Sequence, residues 1–74
     1  MSQKILIDLK TRDGKRRAEA RTIAAQEATG LKSAGFYEEH GDLLVVIAEK
    51  IDAVTVVDKI RKAGLRDAKL FHFE

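Results

Sequence analysis

Residues 43–54 read LLVVIAEKIDAV, and the fold turns on how this stretch is parsed. Leu43 to Ala48 is a run of six apolar residues, rich in β-branched side chains and too short for an ordinary helix. It reads as a strand buried on at least one face. Asp52 then stands where a helix N-cap belongs, ahead of Ala53 to Ala63. Val54, Val56, Val57 and Ile60 are its apolar positions, and Lys59, Arg61 and Lys62 fill the last turn, where they suit the dipole. Gly64 ends it.

The flanking segments follow from this strand-to-helix passage. Upstream, His40-Gly41-Asp42 is a hairpin turn, preceded by a strand over Ser33 to Glu38. Lys4 to Lys10 reads KILIDLK, with Ile5, Ile7 and Leu9 at a period of two, which is a strand. Between these strands, Lys15 to Thr29 is alanine-rich and free of breakers. Asp13 is placed as its N-cap and Gly30 as the left-handed residue after it. Ala20, Ile23, Ala24, Ala28 and Leu31 form the apolar side. Downstream, Ala68 to Phe73 is a last strand. The order is β-α-β-β-α-β in one domain spanning residues 4–74. Two right-handed β-α-β halves interleave into an α+β ferredoxin-like sandwich: an antiparallel sheet of strand order 4-1-3-2 with both helices on one face.

Composition narrows the function classes. With 45% apolar and 35% charged residues in 74, the chain is neither disordered nor membrane-spanning, since a helical span needs roughly 20 apolar residues. Ser2-Gln3-Lys4 leads straight into a strand with no signal-peptide pattern, so a cytoplasmic location is expected. The absence of cysteine removes disulfides, thiolate metal sites and cysteine nucleophiles. Charge is uneven. Residues 1–21 carry seven Lys/Arg against three acids, residues 22–52 two against six, and residues 53–74 five against three. Such a bipolar surface steers a charged partner.

No catalytic constellation emerges, and a non-enzymatic role is expected. His40 and His72 stand in a turn and a strand, and neither Ser2 nor Ser33 lies on a strand-to-helix elbow. Glu38, Glu39 and Asp42 lack the alternating ligands of a calcium loop. The basic run Lys10 to Arg17 contains Gly14 but not the spacing of a phosphate-binding loop. The two central strands carry no aromatic residue on which RNA bases would stack, so no nucleic-acid partner is expected.

Alternation assigns faces. Ile5, Ile7, Leu9, Ala34, Phe36, Leu44, Val46, Ala48, Phe71 and Phe73 are expected toward the helices. Leu6, Tyr37, Leu43, Val45, Ile47, Leu70 and His72 are expected on the uncovered face. Leu6, Val45 and Leu70 would then form an apolar band suited to self-association as a homodimer. Strand two is expected to be an edge that accepts a protein partner. Gly35 admits a second backbone, Tyr37 anchors, and Glu38, Glu39 and Asp42 form a negative rim for a basic partner. Strand four is the rival edge, with Lys69 and Leu70.

The chain resembles plant heavy-metal-associated (HMA) domains over residues 4–74. The supporting segments are Lys4-Ile5-Leu6-Ile7, Lys15 to Ala20, Asp42 to Val46, Ile51-Asp52-Ala53-Val54, Ile60-Arg61-Lys62 and Ala68-Lys69-Leu70. The family's MxCxxC metal motif would fall on Thr11, Asp13 and Arg16, so all three ligand positions are replaced. Position 53, often proline in the family, is alanine. Soft-metal binding needs thiolates, and a positive loop repels cations, so no metal or other cofactor is expected. The resemblance implies a protein-binding module, either a small plant HMA protein or a domain integrated in an NLR immune receptor that captures a secreted pathogen effector. The same element order also fits a small-molecule-sensing regulatory domain of the ACT type.

Overall fold

The computed structural model describes residues 2–37 and 42–74. The elements are β1 (Gln3–Asp8), α1 (Gly14–Glu27), β2 (Thr29–Phe36), β3 (Leu43–Lys50), α2 (Ala53–Lys62) and β4 (Lys69–Phe73). They form one sheet of order β2-β3-β1-β4, which is the expected order. Every neighbouring pair is antiparallel. β1 and β2 therefore run parallel with β3 between them, and β3 and β4 run parallel with β1 between them. Each helix thus connects two parallel strands across one strand of the other half, giving the ferredoxin-like β-α-β-β-α-β topology.

The core lies between the sheet and the helices. Ile5 and Ile7 of β1, Leu9 beyond it, and Leu44, Val46 and Ala48 of β3 are fully or almost fully buried against Ala20 and Ala24 of α1 and Val56, Val57 and Ile60 of α2. The expected register of β3 therefore holds: Val46 faces the helices, and Val45, half-buried, faces away opposite Leu6. α1 meets the sheet through alanines, whereas α2 uses branched side chains.

Both helices start as expected. Asp13 accepts from the Lys15 N–H, and Asp52 accepts from the Thr55 N–H and from its hydroxyl. α1 ends two residues earlier than expected, at Glu27, and Ala28 is already extended. Gly30 does adopt a left-handed φ of 64°, but as the second residue of β2 rather than as the residue after the helix. Leu31 follows it into β2 and is exposed, not part of the apolar side of α1. The competing pull is β3: its two extra residues, Glu49 and Lys50, extend the ladder, and Thr29 pairs with Lys50.

Strand four departs most from its expected faces. Lys69 pairs with Asp8, Leu70 with Ile7, His72 with Leu6 and Phe73 with Ile5, and the register shifts between the Leu6 and Ile7 pairings. Phe71 is the extra residue of a β-bulge. A bulge reverses the alternation on one side of itself, so Leu70 shares the helix side with Ile7 instead of lying on the uncovered face. Phe73 does stand on the helix side, although every residue of β4 is exposed. A second irregularity interrupts β2 at Lys32, between the Leu31 and Ser33 pairings.

Candidate functional site

Three regions carry the residues that the sequence singled out. The first is the β1–α1 loop, where the family's metal ligands would stand. Lys10 holds a left-handed φ of 57°, unusual for a residue with a Cβ. Asp8 fixes it: one carboxylate oxygen accepts from the Lys10 N–H at 3.0 Å, and the other meets Lys10 Nζ at 3.0 Å. Burial pushes the Asp8 carboxyl up, but the Lys10 hydrogen bonds together with the charges of Lys10 and Lys69 outweigh it and hold it below its ordinary range. Thr11 accepts from the Asp13 N–H at 3.2 Å, and Asp13 caps α1 and lies 3.9 Å from Arg16. Arg16 reaches across to the Gly64 carbonyl at 3.3 Å. Gly64 has φ 119°, and a Cβ there would stand 2.7 Å from Arg16 Nη1, so the glycine both turns the chain and makes room for the arginine. Thr11, Asp13 and Arg16 are thus engaged in local turn geometry and helix capping. Among the described residues no group of three His, Asp or Glu side chains could hold a metal ion.

The second region is the β2 edge. Gly35 pairs with Val45 on the uncovered face, and nothing lies within 4 Å of where its Cβ would be. The space it opens is therefore over the sheet face. Tyr37 is exposed, and its N–H donates to the Leu43 carbonyl at 3.1 Å, continuing the hairpin pairing. The Asp42 carbonyl accepts from the Leu9 N–H at 2.8 Å. Glu38, Glu39, His40 and Gly41 lie outside the described residues. On the helix side of the same edge, Phe36 is half-buried against the core and carries the Arg17 guanidinium at 4.2 Å from its ring centroid. Arg17, Arg21, Thr22, Gln26 and Phe36, with small residues of α1, line a groove of about 600 Å³.

The third region is the β4 edge. Leu70, Phe71 and Phe73 are 40, 59 and 44% exposed, and Val54 at the start of α2 is 78% exposed. Leu70 and Val54 line a smaller groove of about 380 Å³ with Val57, Asp58 and Arg61. The strand is held at its start by Arg61 Nε, which donates to the Ala68 carbonyl at 2.6 Å, and at its end by two backbone hydrogen bonds between Glu74 and Lys4. His72 lies 3.3 Å from the Glu74 carboxylate.

The apolar band expected on the uncovered face is narrower than alternation suggested. Leu70 is on the other side, and Leu6, only 9% exposed, is covered by its neighbours. Val45 and Ile47 remain half-buried there. The residues that sequence reasoning missed are Arg17 and Arg21 with Phe36. Their signal was present: two arginines one helical turn apart repel each other, and Arg21 has no acid at helical spacing to offset it.

No protein-family model matches the chain, and no curated protein matches it. Among the described residues, no helix is long and apolar enough to cross a membrane.

Proposed function

We propose that this domain is a non-enzymatic protein-interaction module. In this reading it is an HMA-like domain of a plant immune receptor, or of a related host protein, that captures a secreted pathogen effector in the cytoplasm and has lost metal binding. The observation that carries the reading is the β2 edge. It presents the regular stretch Ser33–Phe36, paired on one side only, beside a groove wide enough for side chains of an added strand. The β1–α1 loop supports the loss of metal binding, because Thr11, Asp13 and Arg16 already satisfy one another and the helix start. The same engagement leaves the Thr11–Gly14 loop little to offer a small regulatory ligand.

The test has two arms. Immobilised domain is exposed to secreted proteins of plant pathogens, and the captured protein is then titrated in purified form. A 1:1 complex of micromolar or tighter affinity is expected, with amide signals of Ser33–Phe36 among those perturbed. In the second arm, Cu(I), Zn(II) and the free amino acids are titrated, and no stoichiometric binding is expected. A tightly bound metal, or an amino acid that stabilises the fold by about 2.7 kcal/mol at one hundred times its Kd, would overturn the reading.

A further inference from the structure

We infer that the groove between α1 and the β2 edge selects an acidic partner: an extended segment that adds to Ser33–Phe36 and places a carboxylate against Arg17 and Arg21. The inference rests on the proposed interaction role and adds the charge of the partner, which reverses the basic partner expected from Glu38, Glu39 and Asp42.

The charge environment is one-sided. Among the described residues the groove lining contains two arginines and no acidic residue. Several basic side chains of the described residues are engaged, Arg16 with Asp13 and Gly64, Lys59 with Glu27, Lys62 with Asp58 and Lys10 with Asp8, while Lys4, Arg12, Lys15, Lys50, Arg66 and Lys69 stand without an ion pair among those residues. Arg17 and Arg21 make no ion pair among the described residues. Arg17 Nε is buried there without a hydrogen-bond partner. Its guanidinium instead sits over the Phe36 ring, 4.2 Å from the centroid, a contact that restricts its rotamer freedom before a ligand arrives. Arg21, one turn further along α1, is exposed on the same groove wall. Two like charges at this spacing destabilise the helix by mutual repulsion, and an anion between them relieves it. Lys15, Arg16 and Arg17 crowd the first turn of α1, which itself holds no acidic residue, and Asp13 at the N-cap lies against Arg16.

The backbone gives the segment its form. β2 pairs only with β3, so its outer N–H and C=O groups alternate along an open edge. The bulge at Lys32 disrupts the start of the strand, but from Ser33 to Phe36 the register with β3 is unbroken. A strand docked there has alternate side chains on the helix side, level with Phe36 and the groove. A glutamate or aspartate at one of those positions meets a guanidinium whose geometry matches a carboxylate.

The probe is an end-capped seven-residue peptide of alternating valine and glutamate, titrated into the isotopically labelled domain. Its valine–lysine counterpart and a backbone N-methylated form serve as controls. The glutamate peptide is expected to shift the amides of Ser33–Phe36 and the side-chain signals of Arg17 and Arg21. N-methylation at alternate residues is expected to weaken it about tenfold, and raising the salt from about 50 to about 500 mM to weaken it further. Arg21→Glu is expected to reduce glutamate-peptide affinity about tenfold and to admit the lysine peptide. Arg21 is exposed, so this variant keeps the fold; Arg17→Glu is compared only after its fold is checked, because Arg17 packs on Phe36. Tighter binding of the lysine peptide, shifts confined to Lys69–Phe73, or an unchanged affinity in Arg21→Glu would each overturn the inference. A lysine peptide docked on Ser33–Phe36 removes the charge assignment while the edge-strand module stands. Failure of both peptides beside successful effector capture likewise removes only this inference, whereas failure of effector capture removes the module itself.

Discussion

The two edges of the sheet are built differently, although a bulge interrupts each. In β2 the bulge falls at Lys32, and a regular stretch follows it through Phe36. In β4 it falls at Phe71, the middle of a five-residue strand, so no run of more than two residues keeps one alternation. A bulge blunts an edge against strand addition, and its position decides how much edge survives. β2 therefore offers backbone, flanked by ordered positive charge. β4 offers side chains: exposed Leu70, Phe71 and Phe73 beside Val54. Exposed aromatic residues on an unpaired edge suit contacts that do not need a continuous ladder.

The sharpest way to break this comparison is to truncate one phenylalanine on each edge. Phe36 packs on the core and under Arg17, so Phe36→Ala is expected to destabilise the domain by about 2–3 kcal/mol, less than a fully buried phenylalanine would. Phe71→Ala, at a site 59% exposed, is expected to stay within about 0.5 kcal/mol. Urea unfolding measures both, and equal losses would mean that β4 is as much a part of the core as β2.

A smaller effect is expected at the tether of β4. Arg61→Ala removes the hydrogen bond to the Ala68 carbonyl and is expected to cost about 1–2 kcal/mol. Its hydrogen-exchange signature sharpens the contrast: faster exchange in Lys69–Phe73 with little change in Ser33–Phe36. Uniform acceleration would show that the two edges open together.

Within β2, the two glycines separate backbone from side-chain constraints. Gly30→Ala forces a Cβ into a left-handed conformation and to 2.7 Å from a Glu49 carboxylate oxygen, and is expected to cost about 1 kcal/mol. Gly35→Val puts its Cβ where nothing lies within 4 Å and gains strand propensity, so it is expected to raise stability by up to about 1 kcal/mol. Thermal melts of the two variants should move in opposite directions.

The smallest effect concerns pH. The carboxyls of Asp8 and Asp52 are both held below their ordinary value of 3.8, Asp52 by its bonds from Thr55 and Asp8 by Lys10 and Lys69 against the opposing effect of burial. A depressed folded-state pKa stabilises the fold above the unfolded value, and that contribution is lost as pH falls through the folded one. The melting temperature is therefore expected to decline below about pH 4. Asp8→Asn keeps an acceptor for the Lys10 N–H but loses the charge, so its decline should be shallower. Because Asp8 lies opposite Lys69, that difference reports on the β4 side of the sheet.

Much of the architecture is legible in short stretches of the chain. Period two in KILIDLK, the apolar run Leu43–Ala48, and aspartates ahead of two helical patterns are local signals, and they place six elements, their order and both N-caps. The register of β3 is legible as well, because Leu44, Val46 and Ala48 sit at alternate positions and only one face has helices to cover it. Local pattern carries such features because they depend on neighbours within a few residues. The end of α1 is not legible: Ala28 and Thr29 suit a helix, and only pairing with Lys50 pulls them into β2. The faces of Leu70 and Phe71 are not legible either, since a bulge leaves no mark in the sequence and arises where the twist of one strand must fit another. The groove of Arg17, Arg21 and Phe36 joins residues up to 19 positions apart, and it exists only because α1 crosses back over the sheet to lie against β2. Sequence by itself determined which segments are strands and helices and which way most of them face. The tertiary structure decided which edge keeps a usable backbone and where unpaired charge collects, because both depend on how distant strands share one register.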